Sequence, residues 1–155
     1  MHVQFGTEKY ITEWMKLVQE ISWNFPGLET EEKIEDHKET VLRFMNKKQA
    51  LCVKDREAVV GVCLFSRGRN MICCLGVSQQ YRKCGIATKL LEKVLSELNR
   101  NEDITVSTFC ENDEKGIAPR ALYKKFGFIE GEYIEEFGYP NQIFILPAQN
   151  KGEQQ

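Results

Sequence analysis

A short basic loop at residues 81–89 carries the residue types that bind phosphate. Arg82, Lys83 and Lys89 stand where an apolar run ends and an amphipathic helix is predicted to begin. The first N–H groups of a helix need acceptors, and no Asp, Asn or Ser occupies a capping position here. Gly85 has no side chain to keep an anion from the backbone. The loop therefore predicts a phosphate site, in which an external anion completes the helix start.

The elements on either side of this loop must position it. Residues 71–77 form an apolar run of strand length, and the residues after the loop repeat at helical spacing: Leu90, Leu91, Val94, Leu95 and Leu98. An alternative interpretation is that Ser78 caps an earlier turn and that the basic residues are only solvated. The strand–loop–helix arrangement favours the phosphate site.

The rest of the chain predicts one mixed α/β layer structure. Its elements alternate as β-α-α-β-β-β-α-β-α-β-β, with a largely antiparallel front half. Strands are predicted at 2–6, 50–54, 58–66, 104–109, 128–136 and 142–146, and helices at 8–22, 30–47 and 119–127. A turn is predicted at residues 138–140, where Gly, Tyr and Pro follow one another.

Composition indicates one globular domain and excludes several classes of protein. The 155 residues are 42% hydrophobic, which suits a single domain over residues 1–148 followed by a flexible tail at 149–155. The net charge of −2 argues against a nucleic-acid partner. Because no long apolar run is present, no membrane partner and no signal peptide are predicted, and a cytoplasmic location is expected.

The cysteines and histidines do not predict a metal site. No C-x-x-C pair occurs among the six cysteines, so zinc spacing is absent. Cys52, Cys63, Cys73 and Cys74 lie in apolar runs and are predicted to fill the core as small hydrophobic residues. His37 falls on the apolar stripe of the second helix and is interpreted as an interior histidine rather than a catalyst.

Two motifs in this order resemble the GNAT superfamily of N-acetyltransferases. RKCGIA at residues 82–87 resembles the family's Q/R-x-x-G-x-G/A signature, and ALYKKFGF at 121–128 resembles its L-Y-x-x-x-G-F segment. The order of elements is also that of the GNAT fold, with helices on both faces of a mixed, partly splayed sheet. The resemblance implies transfer of an acetyl group from acetyl-CoA to an amine in a ternary complex, without a metal.

The resemblance also implies which residues hold acetyl-CoA. The loop and helix start would bind the pyrophosphate, the preceding strand would pair with the pantetheine arm, and a lysine of the second motif would neutralise the 3′-phosphate. The residues expected to bind the cofactor are Leu75, Gly76, Val77, Arg82, Lys83, Cys84, Gly85, Ile86, Ala87, Thr88 and Lys125. For Lys125 a solvated helix face is an equal alternative.

Tyr123 corresponds by this resemblance to the general acid that protonates the leaving CoA thiolate; the alternative is an aromatic core residue. Many members carry a glutamate near the start of the motif strand as general base, but this chain has Asn70 and Met71 there. A base must therefore come from elsewhere. Glu111 and Asp113 are the candidates, with water as the base or a merely solvated acidic loop as alternatives.

The acceptor is expected near the connection of the first two helices and the last two strands. Trp23, Phe25, Glu29 and Tyr139 lie in those stretches. Aromatic walls with carboxylates suit a cationic amine, carried by a small molecule or a peptide. An alternative function is an acyl-CoA-binding regulatory or sensor module with the same fold and no transferase activity. The closing strands would allow a homodimer without requiring one.

Overall fold

A computed structural model describes residues 1–149 and has a seven-stranded sheet in the order β1-β2-β3-β4-β5-β7-β6. The elements along the chain are β1 (Val3–Phe5), α1 (Ile11–Ile21), α2 (Glu31–Asn46), β2 (Ala50–Asp55), β3 (Ala58–Ser66), β4 (Met71–Val77), α3 (Ile86–Glu97), β5 (Ile104–Phe109), α4 (Ile117–Lys125), β6 (Ile129–Glu136) and β7 (Tyr139–Leu146). The predicted mixed α/β fold is confirmed. The predicted tail lies outside the described residues except for Gln149.

One face of the sheet is covered by α1 and α2. Helix α1 buries Trp14, Leu17 and Val18 against inward-facing residues of β2 and β3. Helix α2 begins at Thr30, whose hydroxyl accepts a hydrogen bond from the Lys33 N–H at 3.1 Å, so this helix has a regular side-chain cap. Apolar burial of this kind supplies most of the stability of such helices.

The other face is covered by α3 and α4. The apolar stripe of α3, including Leu90, Leu91 and Val94, is fully buried against strand residues such as Ile104 and Phe144. The predicted helices on both faces of the sheet are therefore confirmed. Within residues 1–149, no helix is both long and apolar enough to span a bilayer.

The sheet opens between β4 and β5. These two strands run parallel and pair at only two positions, Met71 with Thr105 and Ile72 with Val106. Beyond Ile72, β4 continues along β3 as far as Val77, and β5 continues along β7 to the end of the strand. The two halves of the sheet therefore diverge and leave a gap, as the resemblance to the GNAT fold implied.

A β-bulge in β4 overturns the predicted burial of Cys73. Register shifts between Leu64, which pairs with Cys74, and Phe65, which pairs with Ile72, so Cys73 is the extra residue. Cys73 is exposed and Cys74 is half-buried, whereas Cys52 and Cys63 are buried as predicted. The bulge interrupts the alternation of inward and outward side chains along β4. An apolar sequence was therefore not enough to predict that the Cys73 side chain is buried.

The structure also moves three predicted boundaries. The β6–β7 turn is Phe137-Gly138, both with positive φ (53° and 73°), so the predicted turn at 138–140 is wrong: Tyr139 and Pro140 begin β7. Pro140 is tolerated because it lies at the strand end, beyond the last residue that pairs with β5. Helix α4 begins at Ile117, two residues before Pro119, and α1 is preceded by a 3-10 turn at Glu8–Tyr10.

Candidate active site

The gap between β4 and β5 is the entrance to a cavity of about 1230 Å³. Its walls come from residues 73–77 of β4 and 106–109 of β5, and from the first turns of α3 and α4. The α1–α2 connection, at residues 23–28, and Phe137 of the β6–β7 turn complete the lining. The cavity therefore reaches both faces of the sheet, and two ligands entering from opposite faces would meet at the divergence of the strands.

The start of α3 has no side-chain cap. Gly85 is its N-cap residue, with φ of +78°, and no side chain accepts from the first N–H groups of the helix. The Ser78 hydroxyl instead donates to the Glu20 carboxylate at 2.8 Å, and that oxygen also accepts the Gln79 N–H at 3.1 Å. Ser78 caps no turn with its side chain, so the alternative considered from sequence does not account for the basic loop.

The basic loop is fixed at its beginning and strained in its middle. The Tyr81 hydroxyl donates to Asp55 at 2.5 Å, which ties the loop to the end of β2, and this hydrogen bond raises the pKa of Tyr81. Lys83 has a φ of +66°, a left-handed conformation that costs a side-chain-bearing residue about 1–2 kcal/mol. The loop thus holds a fixed shape that exposes its backbone towards the cavity.

Most of the predicted cofactor residues line this cavity. They are Leu75, Gly76, Val77, Arg82, Lys83, Gly85, Ile86, Ala87 and Thr88. The structure does not bring the other two there: Cys84 and Lys125 are exposed outside the lining. Lys89 is also directed elsewhere, because its ammonium donates to the Met1 carbonyl oxygen at 3.0 Å.

Tyr123, in α4, lies on the cavity wall. Its side chain is 4% exposed, and its ring packs against Phe128 and Phe144 with centroid distances of 5.5 and 6.3 Å. Burial, followed by the neighbouring thiols of Cys63 and Cys74, raises the pKa of the Tyr123 phenol. The phenol is therefore protonated at neutral pH, and no hydrogen bond within residues 1–149 occupies its hydroxyl.

The two predicted base candidates lie outside the cavity lining. Glu111 accepts a hydrogen bond from the Tyr133 hydroxyl at 2.7 Å, which lowers the pKa of this carboxyl group. Asp113 accepts the Tyr139 hydroxyl at 2.6 Å on one oxygen and the Lys115 N–H at 3.0 Å on the other, so it caps the 3-10 turn Glu114–Gly116. Both carboxylates have structural partners.

The predicted acceptor residues divide between two adjoining cavities. Trp23 and Phe25 line the main cavity. Glu29 and Tyr139 line a smaller cavity of about 330 Å³, which Trp23 and Phe25 also border. The Glu29 carboxylate accepts the Gly27 N–H at 2.9 Å, so it shapes the connection between α1 and α2.

Sequence reasoning did not select Glu136 as a site residue, although its carboxylate lies on the cavity wall. Glu136, at the end of β6, accepts hydrogen bonds on one oxygen from the Ser107 hydroxyl at 2.7 Å and the Asn141 amide at 2.9 Å. The three residues come from three strands, so chain proximity gave no signal; the register of β5, β6 and β7 brings them together. His37, predicted to be interior, is half-buried on the same cavity wall.

A family comparison agrees with this geometry. A sequence model described as an acetyltransferase (GNAT) domain matches residues 46–130, from the end of α2 into β6. The chain belongs to the GNAT acetyltransferase family. Enzymes of this family transfer an acyl group from acetyl-CoA to an amine, so the GNAT assignment identifies the protein as an acetyltransferase. No curated protein matched the chain.

Solved GNAT structures share the fold at low sequence identity. An acetyltransferase of the GNAT family from Bacillus cereus ATCC 10987 is 17% identical, with a TM-score of 0.73 and coverage of 96% of this chain and 97% of that chain. An N-acetyltransferase from Staphylococcus aureus Mu50 is 18% identical, with a TM-score of 0.71 and coverage of 94% and 100%. The microcin C7 self-immunity acetyltransferase MccE, in complex with acetyl-CoA and AMP, is 14% identical, with a TM-score of 0.66 and coverage of 94% and 91%.

The described part of this GNAT acetyltransferase offers no metal site. Among residues 1–149, no group of three His, Cys, Asp or Glu side chains is placed to hold an ion. Groups on the cavity wall that can take part in chemistry include the backbone N–H groups at the start of α3, the cations Arg82 and Lys83, the Tyr123 phenol and the Glu136 carboxylate.

Proposed function

We propose that this protein transfers an acetyl group from acetyl-CoA to a primary amine of a cationic small molecule or peptide. The observation that carries the proposal is the gap between β4 and β5, which leads from an uncapped helix start to a buried tyrosine. Both ends of that path match what a thioester with a long diphosphate-bearing arm requires.

The helix start fits the pyrophosphate of acetyl-CoA. Unpaired N–H groups and the positive end of the helix dipole favour an anion, and the cations Arg82 and Lys83 line the same cavity. Along the gap, the β4 backbone from Leu75 to Val77 has no strand partner on the side of β5. An extended amide-bearing arm would hydrogen-bond there as an added strand does. These contacts support acetyl-CoA as the cosubstrate.

In this proposal Tyr123 protonates the leaving thiolate. The neutral amine attacks the thioester carbonyl carbon, a C–N bond forms, the C–S bond breaks, and the electron pair passes to sulfur. The phenol then gives its proton to that sulfur, and the tyrosinate recovers a proton from the newly formed ammonium nitrogen. Burial raises the pKa of Tyr123, so the phenol is protonated when the thiolate forms; proton transfer to sulfur, whose thiol has the lower pKa, is uphill and takes place within a hydrogen bond. Glu111 and Asp113, as bases, would act through solvent, because neither lines the cavity.

Binding and turnover test this function together. At 100 times its dissociation constant, acetyl-CoA should add about 2.7 kcal/mol of stability, which is roughly a 5–10 °C rise in Tm for a domain of this size. ADP and NAD serve as comparison ligands. Release of CoA with a panel of primary amines then measures transfer; no rise with acetyl-CoA would refute the proposal.

The Tyr123→Phe variant tests the acid. Turnover should fall by about 100-fold or more while acetyl-CoA affinity stays near that of the wild type, since only the hydroxyl is removed. Tyr133→Phe is the matched control, because this exposed tyrosine donates its hydroxyl to Glu111 away from the cavity. Equal turnover of both variants would remove Tyr123 from the mechanism.

A second candidate function is an acyl-CoA-binding sensor without transferase activity. The observation that favours it is the placement of both sequence-predicted bases outside the cavity. Binding of acetyl-CoA without CoA release across the amine panel would support this alternative. We also propose that residues 1–148 form one domain, that the protein works in the cytoplasm, and that its closing strands are the surface for any homodimer.

A further inference from the structure

Besides the proposed acetyl-CoA site, the cavity contains a second candidate binding site, on the face of the sheet away from Tyr123. Glu136 projects from the end of β6 towards Ser107 of β5 and Asn141 of β7. Both neighbours donate to the same oxygen, Oε1, and among the described residues no cation forms an ion pair with this carboxylate. The second carboxylate oxygen, Oε2, accepts no hydrogen bond from residues 1–149.

Asn141 supplies a second unpaired oxygen. Its side chain is only 8% exposed and lines the cavity, and its amide nitrogen is committed to Glu136. The remaining atom, Oδ1, is buried without a hydrogen-bond partner. Because buried polar atoms in folded proteins are nearly always paired, an unpaired oxygen on a cavity wall points to a ligand that donates to it.

The cluster therefore presents two unpaired acceptor oxygens, Oε2 of Glu136 and Oδ1 of Asn141. A carboxylate oxygen and an amide oxygen suit a group that donates several hydrogen bonds and carries positive charge, and they repel phosphates and carboxylates. Aromatic side chains of Phe25 and Phe137 line the same cavity. Their π faces suit a cation and the apolar stem that carries it.

We propose that Glu136 and Asn141 bind the acceptor amine in its protonated form, carried on an apolar or aromatic stem, before it gives its proton to solvent and attacks as the neutral amine. This inference rests on the proposed acetyl transfer, because it names the substrate class for the same cavity. The position agrees with the path of the thioester. Glu136 and Cys73, the extra residue of the β4 bulge, line the same cavity.

A pair of matched probes tests the ammonium site. Phenethylamine, which is protonated at pH 7, and its neutral counterpart 2-phenylethanol are titrated calorimetrically into the full chain, with and without saturating CoA. The wild type should bind the amine at least tenfold more tightly than the alcohol. Glu136→Gln should abolish this preference, and Asn141→Leu should reduce it. Glu135→Gln, which removes the same charge from the adjacent exposed position, should retain it.

The outcomes separate this inference from the proposed function. No preference of the wild type for the amine, including no binding of either probe, overturns the ammonium site, as does a Glu136→Gln variant that keeps the preference. Acetyl-CoA affinity is measured separately for each variant and should not change, because Glu136 is not among the residues proposed to bind the cofactor. A wild type that does not bind acetyl-CoA refutes the proposed function, whatever the two probes do.

Discussion

Alanine substitutions at two glycines with the same backbone conformation would locate the phosphate site. Gly85, at the start of α3, has a φ of +78°, and Gly138, in the β6–β7 turn, has a φ of +73°. An added Cβ would meet no atom within 4 Å at either position. Both variants therefore carry the same backbone strain of about 1–2 kcal/mol, partly offset by about 0.4–1 kcal/mol from a less flexible unfolded chain.

The two variants should be equally destabilised but should differ in affinity. A net loss of about 1 kcal/mol corresponds to a Tm decrease of about 2–4 °C. Only Gly85 lines the cavity, and its added methyl group would enter the open space through which an anion reaches the helix N–H groups. Loss of one hydrogen bond to a charged group costs about 1.5–3 kcal/mol, so Gly85→Ala should bind acetyl-CoA about ten- to hundredfold more weakly.

Calorimetric titration with acetyl-CoA and thermal melts of the two variants measure both quantities. Gly138→Ala should keep wild-type affinity despite its lower Tm, which excludes instability as the cause of weak binding. If Gly85→Ala binds acetyl-CoA as tightly as Gly138→Ala does, the reasoning is refuted, and the pyrophosphate does not lie at the start of α3.

Three further predictions concern strain, burial and thiol reactivity. Lys83→Gly relieves the strained φ of +66° and should raise Tm by about 1–4 °C while weakening acetyl-CoA binding through loss of a cation; a lower Tm would contradict this. Arg120→Met leaves the Phe109 carbonyl and the Gln142 amide oxygen without their 2.8 Å donor and should cost about 3 kcal/mol, measured by urea unfolding, whereas Lys124→Met, at an exposed ion pair, should cost little. Although the Cys73 side chain is exposed, the surrounding protein removes part of the water around its sulfur and raises the pKa of the thiol, so its alkylation should increase only above the usual pH range for a thiol, near 8.5. Acetyl-CoA should slow that alkylation, since Cys73 lines the cavity, and mass spectrometry of the labelled peptide detects either result.

Local sequence was sufficient for the cofactor half of the site. The strand, basic loop and helix around Gly85 are contiguous, so residue type and spacing determined both the elements and the exposed helix start. The element order also followed, because each helix and strand shows its own hydrophobic period. The GNAT resemblance added the expectation of a splayed sheet. The structure confirms it, because β4 and β5 pair at only two positions.

The acceptor half depended on contacts between distant strands. Glu111 and Asp113 were chosen because they follow a strand end, but tyrosines of β6 and β7 occupy their oxygens. Glu136 reaches Ser107 and Asn141 because strands β5 and β7, which carry these two residues, are paired side by side. No short-range pattern encodes such pairing.

The opening between β4 and β5 also affects how the native protein fluctuates. With two paired positions joining them, the β1–β4 half and the β5–β7 half of the sheet share little backbone hydrogen bonding. The core beneath α3 still connects the halves, so the limited pairing favours local opening of the sheet between β4 and β5. A cosubstrate arm in the gap would act as the missing strand and link the halves. Amide hydrogen exchange should then slow in both halves together when acetyl-CoA binds, including at residues that touch no part of it.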